Sequence, residues 1–136
     1  MKLAIVYWSM TSNTEKMANA IKNGAKDNCN IFQVSETNAN EIAQYDSIAL
    51  GCPAMGDEVL EENEFEPFFN DLLPLLKNQN IALFGSYDWG DGQWMRDWQE
   101  ICKSHNLNLV SEGIISNLEP DDSIIQELVE LGKKLS

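Results

Sequence analysis

Apolar residues follow two rhythms along this chain. Short unbroken runs, Leu3 to Trp8, Ser47 to Leu50 and Asn80 to Phe84, read as buried strands, with Asn30 to Val34 a weaker one. Gly51 is expected to end the run Ser47 to Leu50, and Gly85 the run Asn80 to Phe84. Between the runs, apolar residues return every three or four positions. Thr14 to Lys26 carries Met17, Ala20, Ile21, Gly24 and Ala25 on one helical face, and Asn38 to Ala43 reads as a short helix. Phe65, Phe68, Phe69, Leu72, Leu73 and Leu76 form a single helical stripe, with Pro74 bending or weakening its last turn. Gln93 to Lys103 is the next helix. Leu107 to Val110 and Gly113 to Ile115 make a broken last strand. Asp121 to Leu135 closes the chain as a helix, with Pro120 at its start and Ile124, Ile125, Leu128, Leu131 and Leu135 inward.

Strands and helices therefore alternate about five times, the pattern of a parallel sheet with helices on both faces. This predicts an α/β three-layer sandwich with a five-stranded parallel sheet in the order 2-1-3-4-5. Ligands of such folds bind beyond the carboxyl ends of the strands, near the switch between strands one and three. The 136 residues contain no linker and no internal repeat, and predict one domain over residues 1–136.

Three loops should meet at that edge. The first is Ser9, Met10, Thr11, Ser12, Asn13 and Thr14. It places hydroxyl and amide groups at the mouth of a helix, where unpaired N–H groups and the helix dipole favour an anion. It holds neither Lys nor Arg, so it suits a phosphate held by neutral donors. It is neither G-K-[ST] nor G-x-G-x-x-G. Simple helix capping is the alternative, because Ser, Thr and Asn are common caps. The second loop runs from Gly51 through Cys52, Pro53, Ala54, Met55, Gly56 and Asp57 to Glu58. The third runs from Gly85 through Ser86, Tyr87, Asp88, Trp89, Gly90 and Asp91 to Gly92. Each presents one large flat or soft side chain, Met55 or Trp89, among glycines. An exposed Trp at a loop tip favours being covered, and a flat ring between Met55 and Trp89 would cover it. Packing of Trp89 on the adjacent protein surface is the alternative.

Charge narrows the partners. Nine basic against 22 acidic residues give a net charge of −13. That balance repels nucleic-acid backbones and anionic membranes and attracts basic protein faces. Solubility alone is the other reading of the charge. Three cysteines without a C-x-x-C pair suggest neither a disulfide framework nor a zinc site, so no metal is expected. Met1 leads directly into a strand without a leader pattern, and no run approaches the ~20 apolar residues of a membrane span. The expectation is a cytoplasmic protein. His105 is read as an exposed residue near a helix end, and Cys52 as a small buried one.

The residues of these three loops, with the strands that lead into them, resemble the short-chain flavodoxins over nearly the whole length. The likeness is strongest in Ile5 to Ser9, Asn13 to Ala18, Leu50 to Glu58, Leu83 to Tyr87 and Trp89 to Gly92. The resemblance implies non-covalently bound FMN, with its phosphate in the loop Ser9–Thr14 and its isoalloxazine between Met55 and Trp89. It further implies backbone contacts from Gly56, Asp57 and Glu58 to the ring edge, lining by Pro53, Ala54, Ser86, Tyr87 and Asp88, and a ribityl contact from Asn117. One position departs from the family's [ST]-x-T-G-x-T pattern: Ser12 stands at the glycine. At positive φ it would cost on the order of 1 kcal/mol or more. Asp88 likewise replaces a common glycine.

The function implied is a low-potential one-electron carrier, not an enzyme, shuttling electrons between redox proteins with basic faces and requiring no oligomer. The resemblance implies that the Gly56 carbonyl turns to meet a proton at the ring's N5. Asp57, Glu58, Asp88 and Asp91, with Glu61 and Glu62 nearby, are read as a ring of charge opposing the anionic, fully reduced flavin. One carboxylate at about 10 Å contributes roughly 1–2 kcal/mol at an effective dielectric near 20. The alternatives are an FMN-dependent reductase of a small substrate and an interaction module that has lost FMN. The first would need open space over the ring, and the second would make Ser12 a mark of decay.

Overall fold

The computed structural model describes residues 2–136. Its strands are β1 (Leu3–Tyr7), β2 (Cys29–Gln33), β3 (Ser47–Gly51), β4 (Asn80–Tyr87), β5 (Asn108–Leu109) and β6 (Ile114–Asn117). Its helices are α1 (Asn13–Ala25), α2 (Ala39–Ile42), α3 (Phe65–Leu72), α4 (Gln93–Ser104) and α5 (Asp122–Leu135). Every strand pair is parallel, and the order is β2-β1-β3-β4-β5, as the alternation predicts. The broken last strand is real. β5 pairs with Asn80 and Ile81 at the start of β4, and β6 pairs with Phe84 to Tyr87 at its end.

The continuous apolar run of β1 follows from burial on both faces. Ala4 and Val6 face one core with Ile42, Phe65, Phe69, Leu72, Trp94 and Trp98 from α2, α3 and α4. Leu3, Ile5 and Tyr7 face the other, with Met17 and Ile21 of α1 and Leu128 and Leu131 of α5. The α1–α5 crossing is backbone-close. A Cβ on Gly24 would stand 1.9 Å from the Val129 carbonyl oxygen, and one on Gly132 would stand 2.0 Å from that of Ile21. Glycine at both positions lets the helices approach.

Several boundaries differ from the sequence reading. Gly85 does not end the fourth strand, which continues to Tyr87 because β6 pairs along it. Gly85 is needed there for space, since a Cβ would lie 2.2 Å from the Cys52 carbonyl oxygen. Gly51 is the last residue of β3 rather than a stop before it. Pro74 lies in a tighter turn, Leu73–Leu75, that follows α3, and Leu73 and Leu76 are half-buried. Asp121 caps α5 by accepting from the Ile124 N–H at 2.9 Å, so Pro120 lies outside the helix. Ile124 and Ile125 are half-buried at the rim of the core. No helix among the described residues is long and apolar enough to cross a membrane.

Candidate functional site

The loops after β1, β3 and β4 converge as expected, and buried hydrogen bonds tie them together. The Thr14 and Ser86 hydroxyls lie 2.9 Å apart, both buried, joining the first loop to the third. The Ala54 N–H donates to the Ser86 carbonyl at 3.0 Å, joining the second to the third. Between the loops lies a cavity of about 180 Å³. Met10, Thr11 and Asn13 line it from the first loop, Pro53, Ala54 and Met55 from the second, and Ser86, Tyr87 and Asp88 from the third. A larger groove of about 900 Å³ runs between Ser111–Ile115 and α5, but none of the loop residues reaches it.

The first loop turns into α1 through Ser12, whose φ of 71° and ψ of −3° are left-handed. The condition attached to that residue in the sequence is therefore met, and the strain is present. The Ser9 hydroxyl oxygen accepts from the Glu15 N–H at 3.3 Å. Lys16, the nearest cation on α1, is paired with Glu119. Among the described residues, the N–H groups of Thr11, Ser12, Asn13 and Thr14 find no acceptor within the protein. An anion at this helix start would meet unpaired neutral donors.

The second loop closes on itself. The Met55 N–H donates to the Val59 carbonyl at 2.8 Å, and the Val59 N–H returns to Met55 at 3.0 Å. Gly56 lies inside this turn at φ 46°, with nothing within 4 Å of where a Cβ would be. Glu58, at φ 58°, reaches across to the third loop. Its carboxylate accepts from the Gly92 N–H at 3.2 Å and the Gln93 N–H at 2.9 Å, at the start of α4. Gly90 makes room for this, because a Cβ there would stand 2.5 Å from the Glu58 carboxyl carbon. The Glu58 side chain therefore caps a helix and fastens the turn to the loop that carries Trp89.

Trp89 is 57% exposed, so much of its ring remains uncovered. It stands outside the cavity lining, as do Ser9, Ser12, Thr14, Gly56, Asp57, Glu58 and Asn117. The Asn117 amide donates to the Tyr87 carbonyl at 3.3 Å, beside the Leu118 N–H at 2.7 Å on the same oxygen. Leu118 lines the cavity, is 52% exposed and has φ 62°. The sequence reading missed it. Its only signal was a lone large apolar residue in a polar loop after the last strand.

The expected ring of charge is smaller than the composition suggested. Glu61 is buried and does not face the site. Its carboxylate accepts from the N–H groups of Asn63, Glu64 and Phe65 at 2.9, 2.8 and 2.8 Å, closing the start of α3. Asp91 is paired with Arg96 at 2.9 Å. Asp57, Glu62 and Asp88 remain exposed. Cys52 is fully buried, and burial pushes its thiol far above the usual cysteine range. The deeply buried Cys102 is pushed up to about 12. No cluster of His, Cys, Asp and Glu among the described residues could hold a metal ion.

A doubly wound parallel sheet with a neutral anion cradle at its strand switch and an uncovered Trp beside it defines a mononucleotide-binding protein. Comparison narrows the class. The flavodoxin family profile matches residues 5–131. A flavodoxin of Clostridium beijerinckii is 46% identical over 98% of this chain and 99% of its own length. A flavodoxin of Megasphaera elsdenii is 42% identical over 95% of this chain and 94% of its own. The solution structure of two-electron reduced Megasphaera elsdenii flavodoxin superposes with a TM-score of 0.88, covering 97% of this chain and 98% of that one. The chain belongs to the flavodoxin family.

Flavodoxins are electron-transfer proteins rather than enzymes and bind FMN without a covalent link; this chain is accordingly an FMN-binding electron carrier. Neither the reductase nor the cofactor-free module is favoured beside that assignment. The residues present fit the cofactor. The unpaired N–H groups of the first loop suit its phosphate, and the cavity is lined by Met55 and by Asp88, the residue before exposed Trp89.

Proposed function

We propose that the chain carries electrons one at a time, at low potential, between redox proteins with basic faces, and that it works as a monomer. The observation that carries the reading is the convergence of the three loops on one cavity, with an anion cradle at one end and uncovered Trp89 near the other. FMN supplies the one-electron chemistry when bound. The loop of Ser9, Met10, Thr11, Ser12, Asn13 and Thr14 would hold its phosphate without a cation, through its unpaired N–H groups and free hydroxyl and amide donors. Met55 and Trp89 would flank the ring and shield it from water. Pro53, Ala54, Ser86, Tyr87 and Asp88 line the approach, and Asn117 lies beside the chain that links ring and phosphate.

The turn Met55–Val59 then serves the ring edge. Gly56 lacks a Cβ and has open space around it, so its peptide can rotate at low cost and offer either N–H or carbonyl. The exposed carboxylates of Asp57 and Asp88 disfavour added negative charge nearby, which keeps the second electron at low potential. Anaerobic stepwise reduction of the FMN-loaded protein, followed in the visible spectrum, tests the reading. Two resolved one-electron steps with the second strongly negative are expected. A single two-electron step, or turnover of a small substrate without a protein acceptor, would overturn it.

A further inference from the structure

Six large apolar side chains stand markedly exposed among the described residues: Met10, Val59, Leu75, Trp89, Ile101 and Leu118. Of these, Met10, 68% exposed, and Leu118, 52% exposed, also line the cavity between the loops. They reach it from distant parts of the chain, Met10 from the loop after β1 and Leu118 from the loop after β6. Met10 stands at the variable position of the phosphate pattern, and Leu118 lies outside the contacts that the family resemblance implies. Hydrogen bonds fix the Leu118 backbone beside the cavity. Its N–H donates to the Tyr87 carbonyl at 2.7 Å, and its carbonyl accepts from the buried Ser116 hydroxyl at 3.1 Å. The next residue, Glu119, pairs with Lys16 near the start of α1, which ties this loop to the one that carries Met10. Met10 is unbranched and fits its shape to what it meets. Apolar area held in water beside a cavity gains stability once a ligand covers it.

We propose that Met10 and Leu118 form a clasp: two side chains, from loops joined through Lys16 and Glu119, that close on the bound cofactor and retard its release by touching the part that FMN shares with riboflavin. This extends the FMN reading and rests on the cofactor lying in this cavity. The contact is apolar, so it retains the cofactor without selecting for the phosphate.

Release of FMN and of riboflavin is timed by stopped-flow fluorescence for the full chain, for Met10→Ala and Leu118→Ala, and for the double variant. The conservative changes Met10→Leu and Leu118→Met are timed beside them. Release of both flavins should quicken about fivefold in each alanine variant, the worth of about half a large apolar side chain left uncovered, and on the order of twentyfold in the double. The conservative variants should stay within about twofold, because the apolar bulk is kept. The Tm of the cofactor-free protein should hold within about 2 °C in every variant, as for surface positions. Unchanged release in either alanine variant overturns the clasp. So does faster release of FMN alone, which would mark a disturbed phosphate loop, or a conservative variant that releases as fast as alanine. A larger fall in Tm would make these side chains structural supports and overturns it as well. The FMN reading is tested first on the unaltered chain: failure to bind FMN, or binding that leaves the NMR signals of Ala54 and Tyr87 unmoved, would overturn that reading instead.

Discussion

Single residues in this protein do work that their type alone does not announce. Gly56 sits at φ 46° in open space, so substitution there acts on the backbone and not on packing. Gly56→Val should narrow the gap between the two one-electron potentials by on the order of 60 mV, a tenfold change in a one-electron equilibrium. A potentiometric titration in which the gap is unmoved would count against peptide rotation. The cysteines give a second prediction. Burial raises all three thiols, most strongly Cys52 and Cys102, while Lys22 and Lys2 partly offset the rise at half-buried Cys29. A raised folded pKa keeps the proton on the native thiol, so the unfolded chain loses it first, near its ordinary value of about 8.5. Stability is therefore full below that pH and declines as pH rises toward 12. Native protein at pH 8 should react with a thiol reagent at Cys29 and release the other two only in denaturant. The urea midpoint should fall between pH 8 and 10. Rapid native labelling of Cys52 would contradict the burial argument.

At the scale of elements, most of what was legible came from periodicity. β1, α1 and α4 lie within a residue or two of their expected limits, because burial on both faces of a strand or one face of a helix leaves its period in the sequence. What was not legible depends on distant partners. The length of β4 past Gly85 is set by β6, some thirty residues on. Glu58 and Glu61 read as site charges, yet each caps a helix that the sequence could not place beside it. Ser12 could be flagged, but its φ could not be known without the turn that α1 imposes. The α1–α5 crossing gives this scale its prediction. Gly24→Ala improves intrinsic helix propensity but places a methyl 1.9 Å from a backbone oxygen of α5. It should cost about 1–3 kcal/mol by urea unfolding. Asn23→Ala, one residue away and exposed, should be neutral or mildly stabilising. Equal stability of the two variants would mean that the helices are free to move apart.

For the whole molecule, net charge gives a prediction about encounter. At −13, with Asp88 lining the cavity and Asp57 in the loop beside it both exposed, attraction to a basic redox partner should dominate its approach. Electron exchange with a basic cytochrome-like protein should slow on the order of tenfold or more between 10 and 500 mM salt, as the screening length falls from about 30 Å toward 3 Å. Stopped-flow rates that are flat over that range would exclude electrostatic steering. The divided fifth strand acts at the same scale. An outer strand that runs unbroken offers a neighbouring molecule a row of free peptide groups to zip onto. Here that row is interrupted at residues 110–113, leaving pieces of two and four residues, Asn108–Leu109 and Ile114–Asn117. A break of this kind leaves a neighbouring chain little length along which sheet growth could start.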